Sequence, residues 1–209
     1  MYNINEILKS FINEEEKSFH RFNSWNNCYS FFQNKYFKYN SDDDYDDRAA
    51  LHLGFYLASW GMYRGSTFLL QNDYKIHIGI VKILKNYYYK DIYNFKNIMQ
   101  IKQEIINHYH IYAHTNSKNN NLASDTLITK ILMGTFCNVP AYDRFLLRGI
   151  EKYNKVSSIN YINKEFNEAS FIALNEFYQA HQNEFIIYEK KYPKMKLLDM
   201  FFWKLGYEN

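Results

Sequence analysis

Two residues in the stretch 122–150, LASDTLITKILMGTFCNVPAYDRFLLRGI, have side chains and positions suited to catalysis. Asp143 follows Pro140 and falls in the first turn of a predicted helix, where its carboxylate can stabilise a developing positive charge. Lys130 lies in the preceding apolar segment, and a lysine amine can serve as a covalent nucleophile. Asp143 and Lys130 are therefore the candidate catalytic residues.

Aromatic and cationic residues could form the binding part of such a site. The chain has 21 tyrosines and 17 phenylalanines, and aromatic rings can stack on nucleic-acid bases, although this composition is also typical of an AT-rich coding sequence. The candidates for lining a pocket are Trp60, Tyr63 and Tyr142, and those for phosphate contacts are Arg64, Arg144 and Lys194. A structural interpretation stays open, because the helix dipole stabilises an acid in a first turn and Asp143, Arg144 and Arg148 can form ordinary ion pairs.

The segment ILMGTFCNVPAYDRFLLRGI resembles the helix-hairpin-helix DNA glycosylases of base excision repair. The resemblance implies an all-α fold in which Asp143 stabilises the cationic sugar as the base leaves. The lyase branch of that family implies a nucleophilic lysine, for which Lys130 is the nearest candidate, although its spacing to Asp143 differs from that of the family. In the family a glycine-containing hairpin holds DNA phosphate before this helix, whereas NNNLASDTLI contains no glycine.

Three other segments, SWNNCYSFF, LHLGFYLASWGMYRGSTFLLQ and YPKMKLLDMFFW, resemble a bacterial helical family to which no activity is attached. Two functional hypotheses follow. The first is an enzyme, or a former enzyme, that acts on nucleic acid through Asp143. The second is a non-enzymatic helical adaptor of a phage-related or defence system, whose aromatic surface holds a protein partner.

The elements that position these residues are predicted to be helices. Only two prolines and seven glycines interrupt the chain, and the apolar residues recur mostly at i, i+3 and i+4. These patterns predict an all-α fold, with one compact domain over residues 1–209 and about eight or nine helices around a buried central helix at 45–64. Ala50, Gly54 and Ala58 form a smooth strip on that helix.

Capping residues predict where several helices begin and end. The predicted N-caps are Ser24, Asp73 and either Ser124 or Asp125. The acidic run at 42–47 is predicted to cap the central helix and not to bind calcium, because it lacks the spacing of an EF-hand loop. A long helix is predicted at 166–191, and Pro193 and Gly206 are predicted at the N1 and C′ positions of a final helix.

Composition indicates the cellular compartment of the protein and the partners to expect. Cys28 and Cys137 are the only cysteines, which indicates reduced thiols in a cytoplasmic protein, with Cys28 in the core. The net charge of +3 indicates no strong global field for nucleic acid. The N-terminus lacks the apolar run of a signal peptide, and no segment has the length of a membrane span, so no membrane partner is expected.

Metal and cofactor sites are not predicted. His110 and His114 are four residues apart and could begin a metal site on one face of a helix, yet the glutamate of an HExxH motif and a third ligand are missing. Glycine-rich phosphate loops, GxSxG elbows and CxxC pairs are also missing from the sequence. We therefore expect neither a metal nor a cofactor.

Overall fold

Helices make up the regular structure of the protein. The computed structural model describes residues 2–15, 17–34, 42–65, 67–113, 123–157 and 161–208. These residues contain no β-strand, so the predicted all-α fold class is confirmed. His114 of the predicted histidine pair, the polar segment 115–121 and Leu122 lie outside the described residues.

The described residues form ten α-helices and two 3₁₀-helices. The α-helices are α1 (Ile4–Glu15), α2 (Phe22–Gln33), α3 (Asp43–Ser59), α4 (Ile78–Tyr87), α5 (Phe95–Ala113), α6 (Asp125–Thr135), α7 (Arg144–Val156), α8 (Glu168–Ala180), α9 (Gln182–Phe185) and α10 (Lys194–Tyr207). The 3₁₀-helices are Phe68–Gln71 and Tyr74–His77.

Contacts divide the chain into two compact units. The continuous unit is Arg21–Asn138 and contains α2 to α6. The discontinuous unit joins Met1–His20 to Val139–Asn209 and contains α1 and α7 to α10. The single domain expected from the sequence stays a prediction.

The core of the continuous unit is organised around α6. Its residues 127–135 are all buried, Lys130 among them, so other elements cover this part of the helix on every side. Both α2 and α3 pack against it, and the Trp25 indole N–H of α2 donates a 3.0 Å hydrogen bond to the carbonyl of Met133. Ser124 is the N-cap of α6, where its hydroxyl accepts a hydrogen bond from the backbone N–H of Leu127.

Helix α3 differs from the predicted central helix at 45–64. It ends at Ser59, because Gly61 has a φ of +77°, a left-handed conformation that glycine adopts without steric cost. It is also not buried on every side, since Leu51 and Phe55 are 50% and 63% exposed. Its start agrees with the capping prediction, because the Asp42 carboxylate accepts a hydrogen bond from the backbone N–H of Asp44.

Helices α7 and α10 form the core of the discontinuous unit, where they cross at two glycines. A Cβ atom at Gly149 would lie 1.9 Å from the carbonyl oxygen of Phe202, and one at Gly206 would lie 1.9 Å from that of Phe145. Gly206 is therefore inside α10 and allows close packing, so its prediction as a C′ residue was wrong. Helix α1 also packs on α10, with the rings of Phe11 and Trp203 in an edge-to-face contact at 5.8 Å.

Three other predicted boundaries require correction. Helix α2 begins at Phe22, so Ser24 lies in its first turn, where its hydroxyl donates to the carbonyl of Arg21 and does not act as N-cap. The long helix at 166–191 is interrupted at His181, whose backbone is non-helical. Pro193 is the N-cap of α10 and not its N1 residue, because the helix begins at Lys194. Asp73, by contrast, acts as the predicted N-cap, at the start of the 3₁₀-helix that leads into α4.

No helix in the described part of the chain combines the length and apolar character that crossing a membrane requires.

Candidate functional site

Asp143 is the N-cap of α7 and lies one residue before the helix. Its Oδ1 atom accepts hydrogen bonds from the backbone N–H groups of Phe145, at 3.0 Å, and Leu146, at 3.2 Å. The residue is 9% exposed, which places its carboxylate at the edge of the core. These bonds fix the orientation of the carboxylate, and they also stabilise the helix by about 1 kcal/mol.

The turn that carries Asp143 is held by a second acid, Asp199 of α10. The Asp199 carboxylate accepts a hydrogen bond from the backbone N–H of Ala141 at 3.0 Å and another from the Lys196 ammonium at 3.2 Å. Burial raises the pKa of Asp199, the Lys196 ammonium opposes that rise, and the Asp143 carboxylate adds to it. Asp143, Asp199 and Lys196 therefore form a buried group of charges at the start of α7.

Asp199 and Lys196 were not among the predicted site residues. Both interrupt the apolar run MKLLDMFFW, and a charged side chain in such a run is expected to have a specific partner because burial of an unpaired charge is costly. That signal indicates a buried ion pair. It does not identify Ala141 as the further partner of Asp199, since the two residues are 58 positions apart.

Three predicted binding residues of the discontinuous unit have different environments. Tyr142 is buried, with its hydroxyl 2.6 Å from the Ser170 hydroxyl, so its ring is part of the core. Arg144 is exposed, and its guanidinium lies 4.5 Å from the centre of the Phe145 ring. Lys194 is half-buried over the Tyr178 ring at 4.9 Å, and desolvation lowers the pKa of its amine while Glu189 opposes that shift.

Lys130 and Trp60 meet at the C-terminal end of α3, within the continuous unit. The Lys130 ammonium donates a 3.1 Å hydrogen bond to the carbonyl of Trp60 and lies 5.6 Å from the centre of its ring. The Arg21 guanidinium is 4.9 Å from the same ring. Lys130 is 4% exposed, so its amine stabilises the end of α3 from a buried position.

Tyr63 belongs to a hydrogen-bonded network around His77. The Tyr63 hydroxyl lies 2.5 Å from His77 Nε2, and the Tyr109 hydroxyl lies 2.6 Å from His77 Nδ1. Burial lowers the pKa of His77 to about 3 and raises the pKa of Tyr63 to about 12, so His77 is neutral at pH 7. A neutral imidazole donates one hydrogen bond and accepts the other, so each tyrosine has a different role.

The remaining predicted residues add no further cluster. Arg64 is exposed in the turn after α3. Among the described residues no group of three or more histidine, cysteine, aspartate or glutamate side chains could hold a metal ion. The predicted site residues thus fall in two sets. Asp143, Tyr142, Arg144 and Lys194 belong to the discontinuous unit, whereas Trp60, Tyr63, Arg64 and Lys130 belong to the continuous unit.

Comparisons of the chain with models of protein families, with known proteins and with solved structures found no match. The resemblance to helix-hairpin-helix glycosylases therefore stays a prediction.

Proposed function

We propose that the protein acts on nucleic acid and cleaves an N-glycosidic bond, with Asp143 as electrostatic stabiliser. The observation that carries this proposal is the fixed carboxylate of Asp143 at the start of α7, held by two backbone N–H groups and still 9% exposed. A carboxylate that does not need to reorganise during the reaction stabilises a developing cation more effectively than a mobile one.

The reaction would be hydrolysis at C1′ of a deoxyribose. The bond between C1′ and the base nitrogen breaks, the base leaves with the electron pair and takes up a proton, and the oxygen of water adds to C1′. The sugar becomes oxocarbenium-like as the base leaves, so a nearby carboxylate lowers the barrier. Asp143 needs no change of protonation state for this role.

The experiment is to measure release of free base from a panel of DNA duplexes that contain modified bases. We expect the wild-type chain to release one of these bases and Asp143→Asn to release it at least about a hundredfold more slowly. Asparagine caps a helix as well as aspartate does, so this variant should remain folded. Asp42→Asn, which changes the N-cap of α3, is the matched control and should keep wild-type activity.

Two results would contradict the proposal: no base release from any duplex by the wild-type chain, or equal rates for the wild-type chain and Asp143→Asn. The lyase form of the proposal has its own test. If the Lys130 amine attacks C1′ and displaces the base, borohydride should trap a covalent adduct on abasic DNA. Trapping should be lost in Lys130→Met and retained in Lys82→Met, which changes an exposed lysine of α4, and trapping by both variants would exclude Lys130 as the nucleophile.

A second candidate function is a helical adaptor for a protein partner. The observation that favours it is the exposure of Leu51 and Phe55, two large apolar side chains one turn apart on α3. We expect an affinity-purified wild-type chain to retain a protein that the Leu51→Glu, Phe55→Glu variant loses. Recovery of nucleic acid alone, or of the same protein with both chains, would count against the adaptor.

A further inference from the structure

Helix α7 presents two exposed arginines one turn apart, Arg144 and Arg148. Neither guanidinium forms an ion pair within the described residues, whereas the acid of this helix, Glu151, is paired with Lys155 and Lys164. Arg144 is the first residue of α7, and a cation at the positive end of the helix dipole is unfavourable. The helix dipole therefore does not explain the position of Arg144.

An aromatic group lies beside these cations. The Phe145 ring has the Arg144 guanidinium at 4.5 Å and the Tyr207 ring at 5.2 Å, so both side chains pack on it. Tyr207 is 51% exposed and stacks on the buried Trp203 ring, with the ring centres 4.7 Å apart and the planes 11° from parallel. The Tyr207 ring thus packs on Trp203 while much of its surface stays exposed to solvent.

We propose that Arg144, Arg148 and Tyr207 form a contact surface for a DNA strand, in which the two arginines bind phosphates and Tyr207 stacks on an unpaired base. This inference rests on the proposed action on nucleic acid and names the residues that would hold the strand. Guanidinium groups bind phosphate through paired N–H donors, and a single strand is typically held by cations together with stacked aromatic rings.

The location of the surface links binding to the proposed chemistry. Asp143 directly precedes Arg144, so a phosphate on Arg144 would bring its own sugar close to the start of α7. Glu208, the acid that follows α10, does not neutralise the positive charge of Arg144, because its carboxylate is paired with the Lys204 ammonium at 3.2 Å. Binding and electrostatic stabilisation would then use adjacent residues of one helix.

The test is the fluorescence anisotropy of a labelled single-stranded DNA 20-mer, titrated with the full chain at several salt concentrations. The slope of log K against log salt should fall in magnitude by about 0.7 for every phosphate of the strand that a variant can no longer bind. We expect this change in both Arg144→Ala and Arg148→Ala. Lys155→Ala removes an exposed lysine of the same helix that is already paired, and its slope should equal that of the wild-type chain.

Tyr207 is tested in the same assay. Loss of a stacked base typically weakens binding by about tenfold, so Tyr207→Ala should bind that much more weakly while Tyr207→Phe binds like the wild-type chain. Because Tyr207→Phe keeps the ring against Trp203, a difference between it and the wild-type chain would contradict stacking. The inference would be overturned if the wild-type chain did not bind the strand, or if both arginine variants kept the wild-type slope.

These experiments distinguish a failure of the proposed DNA surface from a failure of the proposed base release. Asp143→Asn should bind the 20-mer at least as tightly as the wild-type chain, because it removes a negative charge beside the strand, while losing base release. Arginine-dependent binding without base release from any duplex would overturn the glycosylase proposal and support the DNA surface. Base release that was unaffected by Arg144→Ala, Arg148→Ala and Tyr207→Ala would overturn the surface and leave the glycosylase proposal standing.

Discussion

Gly206 of α10 lies against the backbone of Gly149 of α7, so that a Cβ atom at Gly206 would be 2.7 Å from the Gly149 nitrogen. The crossing of these helices requires glycine on both sides, because the neighbours are backbone atoms that cannot rotate away. It fixes α7, and with it Asp143 and Arg144, against the largest buried helix of the discontinuous unit.

A methyl group at Gly149 should strongly destabilise the protein. It would lie 1.9 Å from the Phe202 carbonyl oxygen, so the helices must separate, and we expect Gly149→Ala to lower the free energy of unfolding by about 3 kcal/mol or more. Urea unfolding followed by circular dichroism measures this. Val156→Ala, at an exposed position of α7, should change the midpoint little, and equal midpoints for the two variants would contradict the close crossing.

Two substitutions of Asp143 should distinguish the stability that its capping hydrogen bonds contribute from the stability that its charge contributes. Alanine removes the acceptor for the Phe145 and Leu146 N–H groups and should cost about 1 kcal/mol of stability, whereas asparagine keeps an acceptor and should cost only a few tenths. Thermal unfolding of the two variants checks the difference. Equal losses for asparagine and alanine would show that the charge of Asp143, and not its capping bonds, stabilises the fold.

His77 should make the fold less stable in mild acid. Its pKa is near 6.5 in the unfolded chain and about 3 in the folded one, so the unfolded state binds more protons between these values. Stability should therefore fall as the pH drops below 6.5, by up to about 1.4 kcal/mol per pH unit. Urea unfolding between pH 7 and pH 4.5 should show a steeper decline for the wild-type chain than for His77→Gln.

The control for this pH series is His110→Gln, which changes an exposed histidine of α5. Its stability should follow the wild-type curve. Parallel curves for the wild-type chain and His77→Gln would mean that another group causes the acid sensitivity.

Both cysteines should be unreactive in the folded protein. Cys28 and Cys137 are buried, and burial raises the pKa of the Cys28 thiol, so little thiolate is present to attack a disulfide reagent. We expect negligible reaction with Ellman's reagent in native buffer and release of two equivalents of chromophore after denaturation. Rapid reaction of one thiol in native buffer would show that the fold opens around it.

Local chemistry was the part of the structure that the sequence predicted well. The capping role of the acidic run, with Asp42 as N-cap, and the burial of Cys28 both follow from patterns within one or two helical turns. The exposure of Leu51 and Phe55 could not be predicted in this way. The apolar residues of α3 point in several directions, and periodicity does not say which of them another element covers.

Tertiary contacts account for what was missed around Asp143. Gly206 has the residue type of a helix terminus, yet its role comes from a second helix whose closest residues are Phe145 and Gly149. The bond from Ala141 to Asp199 likewise depends on the crossing of α7 and α10. Such contacts join segments that are distant in sequence, so local residue patterns do not predict them.

The discontinuous unit has a consequence for the order in which the protein is made. Helix α1 is synthesised before the continuous unit, whereas α10, on which it packs, is synthesised after it, and the Glu14 carboxylate binds a Lys204 ammonium that is 190 residues away. At about 5–20 residues per second, α1 waits roughly 10 to 40 seconds for that partner. All of the continuous unit is synthesised in this interval, so the apolar face of α1 stays without its contacts to α10 until the continuous unit is complete.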